Sequence, residues 1–508
     1  MTRSNRATGV EPVAAPLTVS ATASEVTSPP PHGLLVVLVV VGLAVFMAQL
    51  DNLVVTTALP QIGRTLRAEI GDLEWVVNAY TLSFAVLLMF GAALGELLGR
   101  RRVFIAGLAL FTLASAAAGA SQTGAELVAA RAVQGVGAAF LVPLTVTLLS
   151  AAVAPDKRGA ALGVWGALAG LAVALGPLLG GMVVEWASWE YVFWLNVPVG
   201  IVLIPLALWG LRESRGPQSR LDIIGTVLVS AGLFGVVFGL VRGGTASWTS
   251  PGVLTSLIGG GILLVAFVAW EARTAHPMLP MELFRHRGFA LTNAASFGMS
   301  FGMFGSIFLL TQYLQNILGY SALTAGIREL PWTGVPILVA PIAGLLADRI
   351  GSKWIIAVGL GCMAVGLGAI ASTVATDAPY RDLVPGFVIS GFGMALFFAP
   401  VANQVLDSVD RADEGVASGA NNALRELGGV FGVSLLAAVF VHEGGTSSPG
   451  AFLDGLRPAM WVGAVVVLLA AGAAALVPAT RRPRTAAADS REDAGDPHGA
   501  PGKQPAHV

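Results

Sequence analysis

Charged residues are scarce in this sequence. Only 12% of the 508 residues are Asp, Glu, Lys or Arg, whereas a soluble chain normally carries about 25%. The charges occur in short patches, and the apolar stretches between them are about 20 residues long, the length that a helix needs to cross a bilayer. Because this pattern recurs along the chain, the sequence predicts an all-α integral membrane protein.

Residues typical of other protein classes are also missing. Cys362 is the single cysteine, which excludes an intrachain disulfide and a cysteine-cluster metal site. There is no Gly-x-x-x-x-Gly-Lys-[Ser/Thr] motif for an ATP-driven pump and no His-Glu-x-x-His motif for a metalloenzyme. The net charge of −1 offers no basic surface for nucleic acid. We therefore expect no enzyme activity, catalytic residue, cofactor, metal or nucleic-acid partner.

Hydropathy predicts fourteen membrane spans. They cover residues 34–58, 75–97, 103–121, 126–149, 160–183, 192–211, 223–241, 253–270, 289–313, 325–347, 354–374, 383–406, 416–441 and 458–478. With a cytoplasmic N-terminus, most loop Lys and Arg residues fall in the inner loops, and an even number of spans then places the C-terminus inside as well.

The sequence contains an internal repeat. Gly99 in the loop after span 2 aligns with Gly351 in the loop after span 10, and Gly176 in span 5 aligns with Gly432 in span 13. The copies lie eight spans apart with the same sidedness, which indicates two parallel six-helix lobes with two extra spans between them.

These features define a predicted domain organisation. The lobes cover 33–212 and 288–480, and the linker with the two extra transmembrane helices covers 213–287. The Pro-, Ser- and Gly-rich tails, 1–32 and 481–508, are predicted to be disordered and cytoplasmic.

Several short segments together carry a family resemblance. They are Leu50-Asp-Asn-Leu-Val-Val-Thr-Thr-Ala-Leu-Pro60, Trp75-Val-Val-Asn-Ala-Tyr80, Arg131-Ala-Val-Gln-Gly-Val-Gly-Ala-Ala139, Gly176-Pro-Leu-Leu-Gly-Gly181, Asn196-Val-Pro-Val-Gly200 and Leu424-Arg-Glu-Leu-Gly-Gly429. In order and placement they resemble the fourteen-span drug:proton antiporters of the major facilitator superfamily. The resemblance implies export of drugs, antibiotics or secondary metabolites in exchange for protons by alternating access. The usage of alanine, glycine, valine and arginine indicates a bacterial protein, so we expect a monomer surrounded by lipid in the bacterial inner membrane.

Two charged residues inside spans are candidates for proton coupling. Asp51 lies within span 1, where a lone carboxylate is costly and indicates function. In the family, a carboxylate in this motif is associated with proton coupling, and the resemblance places Arg131 of span 4 near it. The alternative is a permanent buried ion pair without titration.

A second set of polar residues is predicted to line the substrate cavity. Asn421 and Arg425 share one face of span 13, as do Asn422 and Glu426, because residues four apart lie on the same side of a helix. The full predicted cavity set is Tyr80, Gln134, Asn421, Asn422, Arg425 and Glu426. The alternative is a structural cluster that holds helices together.

The resemblance also assigns an antiporter motif to span 5, namely Gly176, Pro177, Gly180 and Gly181. This motif points to export, whereas the alternative is that Pro177 only kinks the helix. Two charged loops are predicted to act in gating, with Glu96, Gly99, Arg100 and Arg101 in the first copy and Gly344, Asp348, Arg349 and Gly351 in the second. The first copy departs from the family pattern because Glu96 stands where Asp is usual. The alternative is that the arginines of the first copy only fix the orientation of the protein in the membrane.

The same fold leaves other functions open. A proton-coupled uptake symporter, a dedicated metabolite exporter and a non-transporting membrane sensor are the alternatives to a drug exporter. The span-5 motif favours export, and the buried charges in spans 1 and 4 would be costly without function in a sensor.

Overall fold

The structure is a computed structural model that describes residues 33–154, 158–215, 221–245, 247–275, 277–409 and 413–478. The two tails predicted to be disordered lie outside the described residues. The described part of the chain contains helices and no strands.

Within the described ranges, sixteen α-helices form the fourteen predicted spans. Helices α6 and α7 together make one span, and so do α11 and α12. The helices are α1 (Leu34–Leu66), α2 (Ile70–Leu98), α3 (Arg100–Gly119), α4 (Gly124–Ala152), α5 (Arg158–Trp186), α6 (Tyr191–Trp194), α7 (Asn196–Gly210), α8 (Ile223–Thr245), α9 (Pro251–Glu271), α10 (Arg287–Gln312), α11 (Ala322–Thr333), α12 (Val335–Ile350), α13 (Ser352–Thr373), α14 (Tyr380–Leu406), α15 (Glu414–Glu443) and α16 (Pro449–Ala475). A 3₁₀ turn (Met281–Arg285) precedes α10 and a π turn (Tyr313–Ile317) follows it.

Local sequence signals set the helix ends. The Thr123 hydroxyl accepts a hydrogen bond from the Glu126 backbone N–H at 3.2 Å, and the Glu126 carboxylate accepts one from the Thr123 backbone N–H at 3.3 Å. This reciprocal cap satisfies two backbone donors at the start of α4. Pro251 begins α9, where its missing N–H needs no partner.

The first helix is longer than the predicted span. The sequence places the end of span 1 at residue 58, but α1 continues to Leu66, and Arg67 ends it with φ of 53° and a backbone hydrogen bond to Gly63. Hydropathy falls where polar residues such as Arg64 begin. The helix nevertheless continues, because polar side chains on its surface leave its backbone hydrogen bonds intact.

The helices pack in two groups. Helices α1–α7, called the first lobe below, pack mainly against one another, and so do α10–α16, the second lobe. Helices α8 and α9 form a pair, and α8 also packs against α2 and α15. Between the lobes, α2 packs against α15 and α5 packs against α11.

The lobes are held together on one side of the molecule. This side, where α1 ends and α2 begins, is predicted to be extracellular and is called the outer side below. The interlobe hydrogen bonds there run from Asn78 Nδ2 to Ser434 Oγ (2.9 Å), from Gln315 Nε2 to Thr57 O (2.9 Å), from Leu323 N to Glu185 Oε2 (3.1 Å) and from Thr333 Oγ1 to Ala174 O (3.2 Å).

The inner side is open between the lobes. One face of α5 carries residues 163, 166, 170, 174, 177 and 181, which share the helical period. In the outer half, this face contacts α11. In the inner half, no heavy atom from another described element lies within 4 Å of where a Cβ atom on Gly163, Gly166 or Gly170 would stand. The structure is therefore closed outside and open inside.

Candidate functional site

Asp51 is the centre of a buried polar network in the first lobe. It lies in the middle of α1, is 2% exposed, and forms an ion pair through Oδ2 with Nη1 of Arg131 on α4. Its Oδ1 accepts hydrogen bonds from Gln134 Nε2 at 2.8 Å and from Asn196 Nδ2 at 2.7 Å. The carboxylate thus has one cationic partner and two amide donors, which together offset the cost of removing it from water.

The Arg131 guanidinium is held from several directions. Nη1 also donates to Gln134 Oε1 at 2.7 Å, and Nε donates to the Val76 carbonyl at 3.1 Å. Its Cζ lies 4.3 Å from the centre of the Tyr80 ring, whose hydroxyl donates to the Ala48 carbonyl at 3.0 Å. Nη2 has no hydrogen-bond partner within the part of the chain that the structure describes. Tyr80 and Gln134, predicted as cavity residues, therefore lie in the ion-pair network.

Two members of this network were not predicted as site residues. The Ser115 hydroxyl on α3 accepts hydrogen bonds from Gln134 Nε2 at 2.7 Å and from Asn196 Nδ2 at 3.0 Å. Asn196 begins α7 and belongs to one of the segments that carry the family resemblance. Ser115 has a weaker signal, because a lone serine within an apolar span is common in membrane helices.

The predicted span-5 motif lies where three helices meet. A Cβ atom on Gly176 would stand 2.6 Å from Leu53 Cβ of α1, and Gly180 lies against Thr57 of the same helix. Gly181 lies against the Ala322 carbonyl of α11, and the Pro177 carbonyl lies against Gly326 of that helix. The small residues therefore allow α5 to approach both α1 and the second lobe closely.

The predicted cavity residues of α15 fall into two environments. Asn421 is buried and donates to Asn293 Oδ1 at 3.0 Å and Ser296 Oγ at 2.8 Å, both on α10 of the same lobe. Asn422, one residue further along α15, is half-buried.

The charged pair lies one turn further along α15. Arg425 Nη2 forms an ion pair with Glu426 Oε1 at 3.1 Å, and the Arg425 side chain is 20% exposed, against 3% for Glu426. Arg425 also lies 5.7 Å above the Phe398 ring. Of the predicted α15 residues, Asn422 and Arg425 are thus the two that keep exposed surface.

The first predicted gating loop is anchored within its own lobe. Arg100 forms an ion pair with Glu96 at 2.7 Å, and Gly99 has a φ of 117°. The Arg101 backbone N–H donates to Glu213 Oε1 at 3.1 Å, which attaches the loop to the chain beyond α7. Glu96 therefore forms an ion pair although it stands where the family usually has Asp.

In the second loop, Gly351 has a φ of 91° at the junction of α12 and α13. Gly344 is half-buried within α12, and Arg349 is exposed near the end of that helix. The backbone of Asp348 belongs to the same helix.

Three further buried carboxyl groups were not predicted as site residues. Glu74 on α2 is 2% exposed, and Glu271 at the end of α9 and Glu329 on α11 are each 3% exposed. One carboxyl oxygen of each has no hydrogen-bond partner among the described residues. A signal was present for Glu329, because a carboxylate lay inside a predicted span. It stood near the outer edge of that span, next to the charged Arg328.

Comparison with known proteins agrees with this architecture. The sequence profile of the Major Facilitator Superfamily matches residues 41–433 and, in a second match, residues 294–504. The chain therefore belongs to the Major Facilitator Superfamily, a family of membrane transporters, and the predicted resemblance is confirmed.

Curated relatives cover most of the chain. The chain is 38% identical over 440 residues to the cephamycin export protein CmcT of Amycolatopsis lactamdurans, covering 85% of this chain and 90% of the relative. It is 34% identical over 407 residues to the multidrug resistance protein Stp of Mycobacterium tuberculosis, covering 80% and 75%. It is also 31% identical over 424 residues to the tetracenomycin C resistance and export protein of Streptomyces glaucescens, covering 83% and 78%.

Solved structures show the same fold at low identity. An auto-inhibited POT family peptide transporter aligns with a TM-score of 0.64 at 16% identity, covering 88% of this chain and 96% of that one. The xylose transporter XylE from E. coli aligns with a TM-score of 0.58 at 15% identity, covering 86% and 97%.

Proposed function

We propose that this protein exports antibiotics or other small organic molecules across the bacterial cytoplasmic membrane, in exchange for protons that enter. The observation that carries the proton exchange is the ion pair between Asp51 and Arg131, buried in the middle of the spans. The transported class is suggested by relatives at 31–38% identity that are named for antibiotic export or drug resistance.

The geometry of the pair supports proton coupling. A proton on Asp51 neutralises the carboxylate and leaves Arg131 as a buried cation without its counter-ion. Removing one member of a buried pair costs about 3–5 kcal/mol, and reversing a two-state population from 1:99 to 99:1 takes about 5.5 kcal/mol. Protonation of this one residue can therefore supply a large part of the free energy that shifts the protein between arrangements.

The arrangement of the lobes supports alternating access. The same face of α5 is packed against α11 in its outer half and is open in its inner half. Rocking of the lobes would close the inner half and open the outer half, which is how parallel-repeat transporters expose a central site to each side in turn. Asp51 and Arg131 both lie within the first lobe, so a proton on Asp51 can bias this movement although neither residue takes part in the interlobe contact.

Proton exchange is tested in inverted membrane vesicles. Addition of a transported drug should dissipate a preformed proton gradient, and Asp51→Asn should abolish that response while drug binding to the purified protein persists. Asp377→Asn is the matched control, because Asp377 is an exposed aspartate between α13 and α14. Full coupling in Asp51→Asn would contradict the proposed role of Asp51.

A dedicated exporter of one metabolite is the second candidate. It is favoured by the relative of highest identity described above, which is named for cephamycin export alone. Susceptibility profiling of a sensitive host that expresses the protein separates the candidates. Resistance to chemically unrelated drugs indicates a multidrug exporter, whereas resistance to one compound class indicates a dedicated exporter.

A further inference from the structure

Glu329 differs from Asp51 and Glu426 in having no cationic partner among the residues that the structure describes. It lies on α11 and is 3% exposed. Thr311 Oγ1 of α10 donates to its Oε1 at 2.7 Å, whereas Oε2 has no hydrogen-bond partner among the described residues. An ionised carboxylate with a single hydroxyl donor is strongly disfavoured in such a place, whereas a neutral carboxylic acid is tolerated.

The described residues around Glu329 are mostly apolar. Its side chain borders a small void that is too narrow for a water molecule. The other residues around the void are Ile307, Leu310, Trp332, Thr333 and Phe387. The neighbouring Arg328 does not compensate Glu329, because its guanidinium stacks on the Tyr320 and Tyr380 rings, 3.6 Å and 4.7 Å from their centres. No charged group among the described residues therefore stabilises the ionised form.

Glu329 also lies in the helix that closes the outer side. One turn before it, Gly326 is in contact with the Pro177 carbonyl of α5. One turn after it, the Thr333 hydroxyl donates to the Ala174 carbonyl of α5 at 3.2 Å. Opening the outer side must separate α11 from α5 at both points, so the surroundings of the carboxyl group on this helix change with the opening.

We propose that Glu329 is a proton-binding site of the second lobe, which holds its proton while the outer side is closed and exchanges it when that side opens. Proton binding then favours the closed outer side, and loss of the proton favours the open one. The use of this proton in transport rests on the exchange function proposed above, whereas the binding itself does not. Its tests therefore need neither a drug nor a gradient.

The first test is infrared difference spectroscopy of the purified protein at neutral pH. A neutral carboxylic acid has a carbonyl band that is distinct from those of a carboxylate and of an amide. Glu329→Gln should lose one such band relative to the parent protein. Glu443→Gln, which alters an exposed glutamate at the outer end of α15, should lose none. An unchanged band in Glu329→Gln would overturn the proposal.

The second test measures closure of the outer side. Glu185→Cys and Leu323→Cys place thiols on α5 and α11, where the native residues are hydrogen bonded across the interface at 3.1 Å, in a background with Cys362→Ala. The cross-linked fraction should fall as the pH rises when Glu329 is present. In Glu329→Gln it should remain at the acidic value, because the amide cannot ionise. Glu443→Gln in the same background retains Glu329 and should keep the pH dependence of the parent, which ties the effect to position 329.

A variant that keeps the carboxyl group covers the case in which Glu329→Gln does not fold. Thr311→Val removes the one hydrogen bond to Glu329, so the acid band should remain and move to higher frequency. The assignment is contradicted if the acid band neither moves in Thr311→Val nor disappears in Glu329→Gln. It is also contradicted if cross-linking has the same pH dependence in Glu329→Gln as in the parent. The infrared band and the cross-linked fraction do not depend on proton exchange at Asp51. They should therefore be the same whether or not Asp51→Asn abolishes drug-driven proton flux, so the two proposals can fail separately.

Discussion

The Pro177 carbonyl of α5 lies directly against Gly326 of α11, with no room for a side chain between the two helices. The contact joins the two lobes one turn from Glu329 and within the predicted antiporter motif. Closing the outer side thus requires a residue without a Cβ atom at position 326.

Gly326→Ala should therefore hold the outer side open. A Cβ atom there meets backbone atoms of α5, which cannot give way as a flexible side chain can. We expect loss of transport together with increased labelling of a cysteine at position 323 by an impermeant thiol reagent. Gly472→Ala is the control, because no atom lies within 4 Å of its Cβ position. Normal transport in Gly326→Ala would show that the close approach is not required.

The buried pair can be tested by a double-mutant cycle. Asp51→Asn and Arg131→Met should each destabilise the protein by about 3–5 kcal/mol, because each leaves a buried group without its partner. The double variant should be clearly more stable than the sum of the two losses predicts, since neither charge is left unpaired. Chemical denaturation in detergent measures all three variants. Additive losses would mean that the two residues do not act as a pair.

The sequence predicted the spans well because each crossing needs a long apolar run, and such a run is a local property. It also placed Asp51 near Arg131, through the family resemblance. The contacts of a buried side chain with residues on other helices were harder to predict. Gln134 and Tyr80 occur on helical faces that could equally meet a cavity or a neighbouring helix, and their contacts with Arg131 depend on how α2 and α4 pack.

Glu329 was missed for a related reason. A carboxylate at the edge of an apolar run has the same sequence pattern whether it faces water or the interior. The distinction depends on how α11 packs against α10 and α14, which cover Glu329 in the fold. In the α1 helix, similarly, the polar residues that ended the predicted span did not end the helix.

The two charged loops allow a comparison of equivalent glycines. Gly99 and Gly351 both have positive φ, at 117° and 91°. A Cβ atom at Gly99 would also stand 2.6–3.0 Å from the Glu213 carboxyl group, whereas Gly351 has open space around it. Gly351→Ala should cost about 1–3 kcal/mol of stability from backbone strain. Gly99→Ala should cost more, because it also displaces the carboxylate that binds Arg101. Thermal unfolding of the two variants tests this order, and an equal loss would mean that Glu213 moves freely.

The hydrogen bond between Asn78 and Ser434 provides a measure of the interlobe equilibrium. It joins α2 to α15 at 2.9 Å and is buried on the outer side. Ser434→Ala should weaken the closed arrangement by about 0.5–1.5 kcal/mol, or roughly two- to tenfold in the equilibrium constant, because a buried amide donor loses its acceptor. The matched control is Ser300→Ala on α10, since the Ser300 hydroxyl has no hydrogen-bond partner among the described residues. Distance distributions between spin labels at the outer ends of α2 and α15 report the populations directly. A shift of equal size in both variants would indicate a general loosening of helix packing instead of a specific interlobe bond.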